Sequence, residues 1–135
     1  MTNRMQLTGW ILAACLASPA LADDGDPAAG EKVFSKCKAC HQVGPDAKNR
    51  VGPELNGIIG RPIASLPDFK YSEAFQEKAA EGMVWSEENL TIYLQKPKDF
   101  IPGNKMTFAG LKKPEQRAAV IAYLRSMADS PAPLE

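Results

Sequence analysis

The stretch Cys37-Lys38-Ala39-Cys40-His41 decides how the rest of the chain is interpreted. Two cysteines separated by two residues and followed at once by a histidine form the attachment pattern for a c-type haem. Each thiol can add to one vinyl group of the porphyrin and form a thioether, and the histidine can then give iron its proximal nitrogen ligand. The order of these residues therefore predicts one covalently attached haem.

Two other kinds of site also use paired cysteines. A structural zinc site needs about four cysteine or histidine ligands, whereas the whole chain holds three cysteines and one histidine. The third cysteine, Cys15, also falls in a segment that we expect to be removed. A thioredoxin-like dithiol lies beside a βαβ unit, and the sequence shows no strand pattern. Haem attachment is therefore the stronger interpretation.

The first 22 residues have the pattern of a secretory signal peptide. Arg4 precedes an apolar run at 10–16, and residues 20–22 form an A-x-A cleavage site. The apolar run is too short to span a bilayer. We therefore predict a signal peptide over 1–22, a single domain over 23–135 and a location in the periplasm.

A second processing pattern competes with this one. Leu12-Ala13-Ala14-Cys15 resembles a bacterial lipoprotein cleavage box. Cleavage there leaves only a short, interrupted apolar core upstream, so we rank it lower, and lipidation of Cys15 stays open at this point.

Length and composition indicate one small domain that needs its cofactor. The chain has 135 residues, with 16 basic and 16 acidic side chains. A domain of this size buries limited apolar surface by itself. We therefore expect the haem to form the centre of the core and the apo chain to be largely unfolded.

Capping residues and apolar periodicity predict an all-α fold. The expected helices are 26–40, 72–80, 86–96 and 114–127. The segment 42–71 is rich in glycine and proline and has no helical period, and we expect it to be ordered because it wraps around the haem. A second irregular segment is expected over 97–113.

Low-spin iron needs a second axial ligand on the other face of the haem. His41 is the only histidine, so the mature chain offers Met83, Met106 and Met127. Met83 follows a helix stop and Met127 lies on the terminal helix, where packing roles are expected. Met106 lies in an irregular stretch, 101–108, whose proline and glycine fix the backbone. The sequence therefore favours Met106, and thioether sulfur raises the reduction potential.

At this point the chain resembles the class I cytochromes c, specifically the bacterial periplasmic type close to the mitochondrial protein. The resemblance covers about residues 25–127. Beyond the haem motif it rests on Gly30 and Phe34, Gly52-Pro53-Glu54-Leu55-Asn56-Gly57, Gly60-Arg61, Tyr71-Ser72, Trp85, Tyr93-Leu94, Pro97, Ile101-Pro102-Gly103, Lys105-Met106-Thr107-Phe108-Ala109-Gly110 and Ala122-Tyr123-Leu124.

This resemblance implies the roles of the residues at the iron. His41 and Met106 resemble the axial pair of the family. Pro53 is expected to offer its carbonyl to the His41 ring, which fixes the tautomer of the ring. Tyr93 and Asn104 resemble the polar groups beside the sulfur ligand.

The resemblance also implies contacts further from the iron. Arg61, Tyr71 and Trp85 resemble the donors to the buried haem propionate, a charge that is costly to leave unpaired. Gly30 is expected to lie close to the terminal helix. Phe75 departs from the family, which often has a polar residue there.

Charge is distributed unevenly along the chain. Residues 96–113 hold five lysines and Asp99, a local charge of +4, and residues 73–88 hold five glutamates and Lys78, a local charge of −4. We interpret the acidic stretch as a solvated face. In the fold of the family the basic residues border the haem edge, where positive charge steers acidic partners. The predicted docking residues are Lys36, Lys38, Lys98, Lys105, Lys112 and Lys113.

The sequence as a whole predicts a soluble, monomeric, periplasmic one-electron carrier that transforms no substrate and binds no nucleic acid. By resemblance, its donor is the cytochrome bc complex or a periplasmic dehydrogenase. Its acceptor is a terminal oxidase, a photosynthetic reaction centre or a denitrification reductase, each contacted by transient docking at a membrane complex.

Two alternative functions stay open. One is a ligand-binding haem sensor, in which Met106 detaches from the iron. The other is a peroxidase-like enzyme, although the chain has no second histidine to act as its acid–base group.

Overall fold

The structure is a computed structural model that describes residues 25–128. The predicted signal peptide and the Cys15 alternative lie outside the described residues. The helices are α1 Pro27–Phe34, α2 Glu73–Ala80, α3 Glu87–Gln95, α4 Pro97–Phe100 and α5 Pro114–Ser126. No strand is present in the described part of the chain, where Pro62 and Val84 form an isolated β-bridge. The all-α prediction is confirmed.

Three helices begin where their capping residues predict. Asp26, Ser72 and Ser86 each accept a hydrogen bond on the side chain from a backbone N–H in the first turn of α1, α2 and α3. The first N–H groups of a helix have no partner within the helix, so a side-chain acceptor there stabilises the start.

The predicted end of the first helix was wrong. We expected it near Cys40, but α1 ends at Phe34. After that point the backbone tightens: the N–H of Lys36 donates to the Val33 carbonyl and that of Cys37 to the Phe34 carbonyl, each three residues back. These i−3 bonds are mixed with i−4 bonds from Lys38 to Phe34 and from His41 to Cys37, so the following residues form turns and not a regular helix.

The segment predicted to be irregular after α3 also contains a helix. The four-residue helix α4 begins at Pro97. Proline ends the preceding helix because it restricts the residue before it, yet its fixed φ suits the first position of a new helix. Pro97 therefore both stops α3 and starts α4.

Helices α1 and α5 cross at a glycine. A Cβ atom placed on Gly30 would lie 2.0 Å from the Ala119 carbonyl oxygen, so only glycine permits this approach. One turn further along α1, the rings of Phe34 and Tyr123 lie 5.4 Å apart, centroid to centroid. This crossing joins the two ends of the described chain, and α3 packs against both α4 and α5.

The long loop before α2 is tied to the start of α3. The Gly60 N–H donates to the Trp85 carbonyl at 2.7 Å, and the Trp85 N–H donates to the Arg61 carbonyl at 2.9 Å. The Ile63 N–H donates to the Met83 carbonyl at 3.0 Å. These bonds hold the buried Trp85 in place against the loop.

Candidate functional site

The two cysteines and the histidine come from one tight turn after α1. The N–H groups of Cys40 and His41 both donate to the Cys37 carbonyl, at 3.1 and 2.9 Å. Both cysteine side chains are half-buried. Burial raises the pKa of the Cys37 thiol; the Lys36 charge opposes this rise and Cys40 adds to it. The turn therefore presents both sulfur atoms and the imidazole within five residues of sequence.

His41 is oriented by a backbone carbonyl. Its Nδ1 lies 2.7 Å from the Pro53 carbonyl oxygen, which can accept a hydrogen bond only when Nδ1 carries the proton. That tautomer leaves Nε2 with a free lone pair for a metal ion. Burial lowers the pKa of His41, the Pro53 bond opposes this, and the Arg61 charge lowers it further. The ring is therefore neutral, the form that binds iron.

Gly52 leaves the space that the imidazole occupies. A Cβ atom at Gly52 would lie 2.3 Å from Cε1 of His41. The Gly52 N–H also donates to the Cys40 carbonyl at 2.9 Å, which fixes this part of the loop against the turn. The Pro53 carbonyl therefore bonds the edge of the ring, and the backbone at Gly52 packs closely against it.

Met106 is held through its backbone by Asn104. The Asn104 side chain is buried, and its Nδ2 donates to the carbonyls of Pro97 and Ile101 at 2.9 and 2.7 Å. Its Oδ1 accepts from the Met106 N–H at 2.9 Å. One amide therefore links the methionine to α4 and to the turn that follows it.

The Met106 sulfur contacts a buried hydroxyl. Tyr93 Oη lies 3.6 Å from Met106 Sδ and donates to it. Burial raises the pKa of Tyr93 far above its ordinary value, so the hydroxyl keeps its proton and stays a donor. A donor to sulfur tunes how strongly that sulfur donates to a metal.

Phe75 completes an aromatic wall around Tyr93. The Tyr93 ring lies 4.9 Å from that of Trp85 and 6.1 Å from that of Phe75, centroid to centroid. Phe75 also stacks on Tyr71 at 6.1 Å. Where the family often has a polar residue, this chain therefore connects Tyr71, Trp85 and Tyr93 through an apolar ring.

Arg61 has a partner that the sequence did not indicate. Its Nη1 lies 3.1 Å from Glu54 Oε1 and donates to the Asn56 carbonyl at 3.1 Å, and its Nη2 donates to the Glu54 carbonyl at 2.8 Å. The Glu54 and Arg61 side chains are mostly buried. Tyr71 Oη accepts from the Leu66 N–H at 3.4 Å. The roles of Arg61, Tyr71 and Trp85 toward a propionate stay predictions.

The predicted residues thus fall into two groups, each with one candidate ligand for a haem iron. The first group holds the thiols of Cys37 and Cys40 with a neutral imidazole whose Nε2 is free. The second presents a thioether sulfur, Met106 Sδ, with a fixed backbone and a protonated hydroxyl beside it. Nitrogen and thioether donors on a compact helical fold suit haem iron in electron transfer.

Comparisons with known proteins agree with this geometry. The family model described as cytochrome c matches residues 27–128. The chain is 54% identical to cytochrome c2 of Afifella marina over 99 residues, 73% of this chain and 80% of that protein. It is 50% identical to cytochrome c2 of Agrobacterium tumefaciens over 107 residues, 79% of this chain and 96% of that protein. The solved structure of cytochrome c2 from Rhodospirillum centenum has 41% identity and a TM-score of 0.73, covering 77% of this chain and 99% of that one.

These residues and this fold place the protein among the small haem proteins whose cofactor is attached through a histidine-bearing cysteine pair. The chain belongs to the cytochrome c family. It carries one haem c bound covalently through Cys37 and Cys40, and it acts as a one-electron carrier. The haem supplies an iron that alternates between the ferrous and ferric states.

Proposed function

We propose that this protein is a periplasmic electron carrier in which His41 and Met106 bind the iron in both oxidation states, and that it transforms no substrate. The observation that carries the proposal is the double hold on Met106. Asn104 fixes its backbone, and the Tyr93 hydroxyl contacts its sulfur. A ligand held in this way does not have to rearrange when the iron gains or loses an electron, which keeps transfer fast.

The other two methionines lack this support. Met83 and Met127 pack beside the apolar core, and the Met83 carbonyl serves as an acceptor for Ile63. Neither sulfur has a hydroxyl donor among the described residues. Met106 is therefore the sixth ligand that the geometry favours.

The same observations bear on the two alternative functions. A ligand-binding sensor needs Met106 to leave the iron readily, and a peroxidase needs an open iron site. The Asn104 amide bonds both α4 and the Met106 N–H, so it opposes both requirements. We therefore place neither a sensor nor a peroxidase above the carrier.

The distribution of exposed charge supports docking at the haem edge. Asp99, the acidic residue in the basic segment, pairs with Lys96 at 2.8 Å. Lys98 Nζ donates to the Asn104 carbonyl, and Lys105 takes part in no ion pair within residues 25–128. Positive charge beside the segment between α4 and α5, residues 101–113 and here called the Met106 loop, is therefore left for an acidic partner.

The partners we propose follow from this surface and from the family. The donor is the cytochrome bc complex or a periplasmic dehydrogenase, and the acceptor is an oxidase, a reaction centre or a reductase. Within the described residues no helix is long and apolar enough to cross a membrane. We propose that the protein docks transiently at its partners, as a monomer, through a small and rapidly dissociating interface.

The ligand assignment is tested by Met106→Ala in the holoprotein. We expect the sulfur-to-iron charge-transfer band to vanish and cyanide or carbon monoxide to bind. The potential should fall by on the order of 0.1–0.3 V, part of the ~0.8 V range that axial ligands span. Met127→Leu is the matched control and should keep both band and potential. If Met106→Ala retained the wild-type spectrum, the assignment would be wrong.

A further inference from the structure

Arg117 is a buried cation that has no carboxylate partner within residues 25–128. It lies on α5 and is 7% exposed. Its Nη1 donates to the Leu111 carbonyl at 2.6 Å and to the Lys112 carbonyl at 3.0 Å. Within residues 25–128 Arg117 takes part in no ion pair, and its Nε has no hydrogen-bond partner. Two backbone carbonyls therefore provide the compensation for its charge.

Burying a guanidinium without an opposite charge destabilises the fold unless its hydrogen bonds offset the cost. Removing a charge from water is expensive when no opposite charge meets it, whereas hydrogen bonds from a guanidinium to carbonyl oxygens are charge-assisted and strong. An apolar residue at position 117 avoids the cost but cannot bond the two carbonyls. An arginine at position 117 therefore indicates that the two carbonyls need to be held in place.

The carbonyls that it holds belong to the end of the Met106 loop. Leu111 is 2% exposed, and its N–H donates to the Leu94 carbonyl of α3 at 2.7 Å. A Cβ atom at the neighbouring Gly110 would lie 2.1 Å from the Gln95 carbonyl oxygen. Leu111 is therefore fixed on both sides, to α3 through its N–H and to α5 through Arg117.

Between its two ends the loop is supported by side chains: Met106 and Phe108 pack beside the core, and Tyr93 Oη donates to the Met106 sulfur. Asn104 holds the first end through the Met106 N–H. The backbone of residues 107–110 forms no hydrogen bond with the rest of residues 25–128. Hydrogen bonds at Asn104 and at Leu111 therefore fix the backbone on either side of Met106, while the Tyr93 hydroxyl contacts the sulfur itself.

We infer that Arg117 is a positioning residue for the sixth ligand: by clamping the Leu111 and Lys112 carbonyls to α5, it sets how long the Met106 sulfur stays on the iron. This inference rests on the proposed ligation by Met106. Within residues 25–128 Arg117 forms no hydrogen bond with the Met106 sulfur, so it acts through the loop.

The test measures how fast added imidazole replaces the sulfur in the ferric holoprotein. Arg117→Met replaces the guanidinium with an unbranched apolar side chain and removes both hydrogen bonds. We expect imidazole to bind at least about tenfold faster, since the loss of one charge-assisted bond already corresponds to about one tenfold step. Arg117→Lys keeps the charge and can reach one carbonyl, so its rate should be intermediate. Amide hydrogen exchange at Leu111 should accelerate in the same order.

The matched control lies on the same helix. Arg125 forms an ion pair with Glu87 of α3 and, within residues 25–128, no hydrogen bond or ion pair with the Met106 loop. Arg125→Met should lower the unfolding midpoint and leave the imidazole rate unchanged. An equal acceleration in Arg125→Met, or a wild-type rate in Arg117→Met, would overturn the inference. If Arg117→Met fails to fold, the Arg117→Lys rate decides in the same way.

The two proposals fail differently. If Met106→Ala keeps the sulfur-to-iron band, the ligand assignment is wrong and the role of Arg117 falls with it. If Met106→Ala loses the band while both Arg117 variants bind imidazole at the wild-type rate, the ligand assignment stands and only the role of Arg117 is refuted.

Discussion

A missing side chain determines where the His41 imidazole can lie. The hydrogen bond to Pro53 sets the tautomer, but the ring needs room beside the backbone at Gly52, where a Cβ atom would approach Cε1 to 2.3 Å. Side-chain rotation cannot relieve this contact, because the backbone fixes the position of a Cβ atom. The ring or the loop must move instead.

Gly52→Ala should therefore disturb the haem site directly. We expect the free energy of unfolding to fall by about 1–3 kcal/mol, the usual cost of overpacking, and the yield of holoprotein with a normal absorption spectrum to drop. Gly57→Ala is the control. A Cβ atom there meets nothing within 4 Å, although its φ is +61°.

The control should cost about 1 kcal/mol through backbone strain and leave the spectrum unchanged. Denaturant unfolding with absorption spectroscopy measures both quantities. Equal spectral effects in the two variants would show that space at His41 is not the reason for the glycine.

At the residue scale, sequence reasoning succeeds where chemistry requires fixed spacing. Cys37, Cys40 and His41 could be identified because the attachment reaction needs them in that order. Arg117 and the Glu54–Arg61 pair could not. A buried arginine is recognised by the carbonyls that face it, and those come from a segment whose position depends on the completed fold.

Among the elements, the crossing of α1 and α5 depends on how closely two backbones can approach. The Cβ-to-oxygen distance of 2.0 Å that alanine would create at Gly30 involves the backbone carbonyl of Ala119, not a flexible side chain. The same Cβ atom would lie 2.7 Å from Cβ of Tyr123. The two helices must therefore move apart to accommodate a Cβ atom at residue 30, and this movement also loosens the contact of Phe34 with Tyr123.

Gly30→Ala should destabilise the holoprotein by about 3 kcal/mol, at the upper end for overpacking, in spite of the better helix propensity of alanine. Lys32→Ala, at an exposed position of the same helix, should change stability by less than about 0.5 kcal/mol. Urea unfolding of both variants measures the difference. A neutral Gly30→Ala would mean that the two helices can separate at no cost.

Helix starts were easier to predict than helix ends. Asp26, Ser72 and Ser86 cap helices through their own side chains, so the signal is local. The end of α1 at Phe34 and the appearance of α4 depend on backbone bonds of the completed structure. Lys96-Pro97 did carry a signal for α4, because proline favours the first helical position.

For the molecule as a whole, the 16 basic and 16 acidic residues balance, but basic and acidic side chains are concentrated in different segments. The structure identifies which lysines can be changed without other consequences. Reversing Lys98 also removes its bond to the Asn104 carbonyl, and that residue holds Met106. Lys105 is exposed and has no ion pair in the described part of the chain, so its charge can be tested by itself.

Lys105→Glu should slow the bimolecular electron transfer to an acidic partner by roughly three- to tenfold at low salt, because steering raises encounter rates. The reduction potential should change little. The difference from wild type should shrink as ionic strength approaches physiological values, where screening acts over about 8 Å. Stopped-flow kinetics over a salt series measure both effects.

Glu77→Lys on the acidic face is the matched control, since Glu81 is already paired with Lys78. It should have a much smaller effect on the rate. A wild-type rate that did not depend on salt would rule out the basic surface as the controlling feature of docking.

The pairing of α1 with α5 also determines the order in which the protein can be assembled. A ribosome makes α1 first and α5 last, with nearly the whole described chain between them. Helices this short are marginal in water without a packing partner, so Phe34 cannot become buried against Tyr123 until synthesis is almost complete. We therefore expect the thioether bonds at Cys37 and Cys40 to form while the exported chain is still open, before α5 packs against α1.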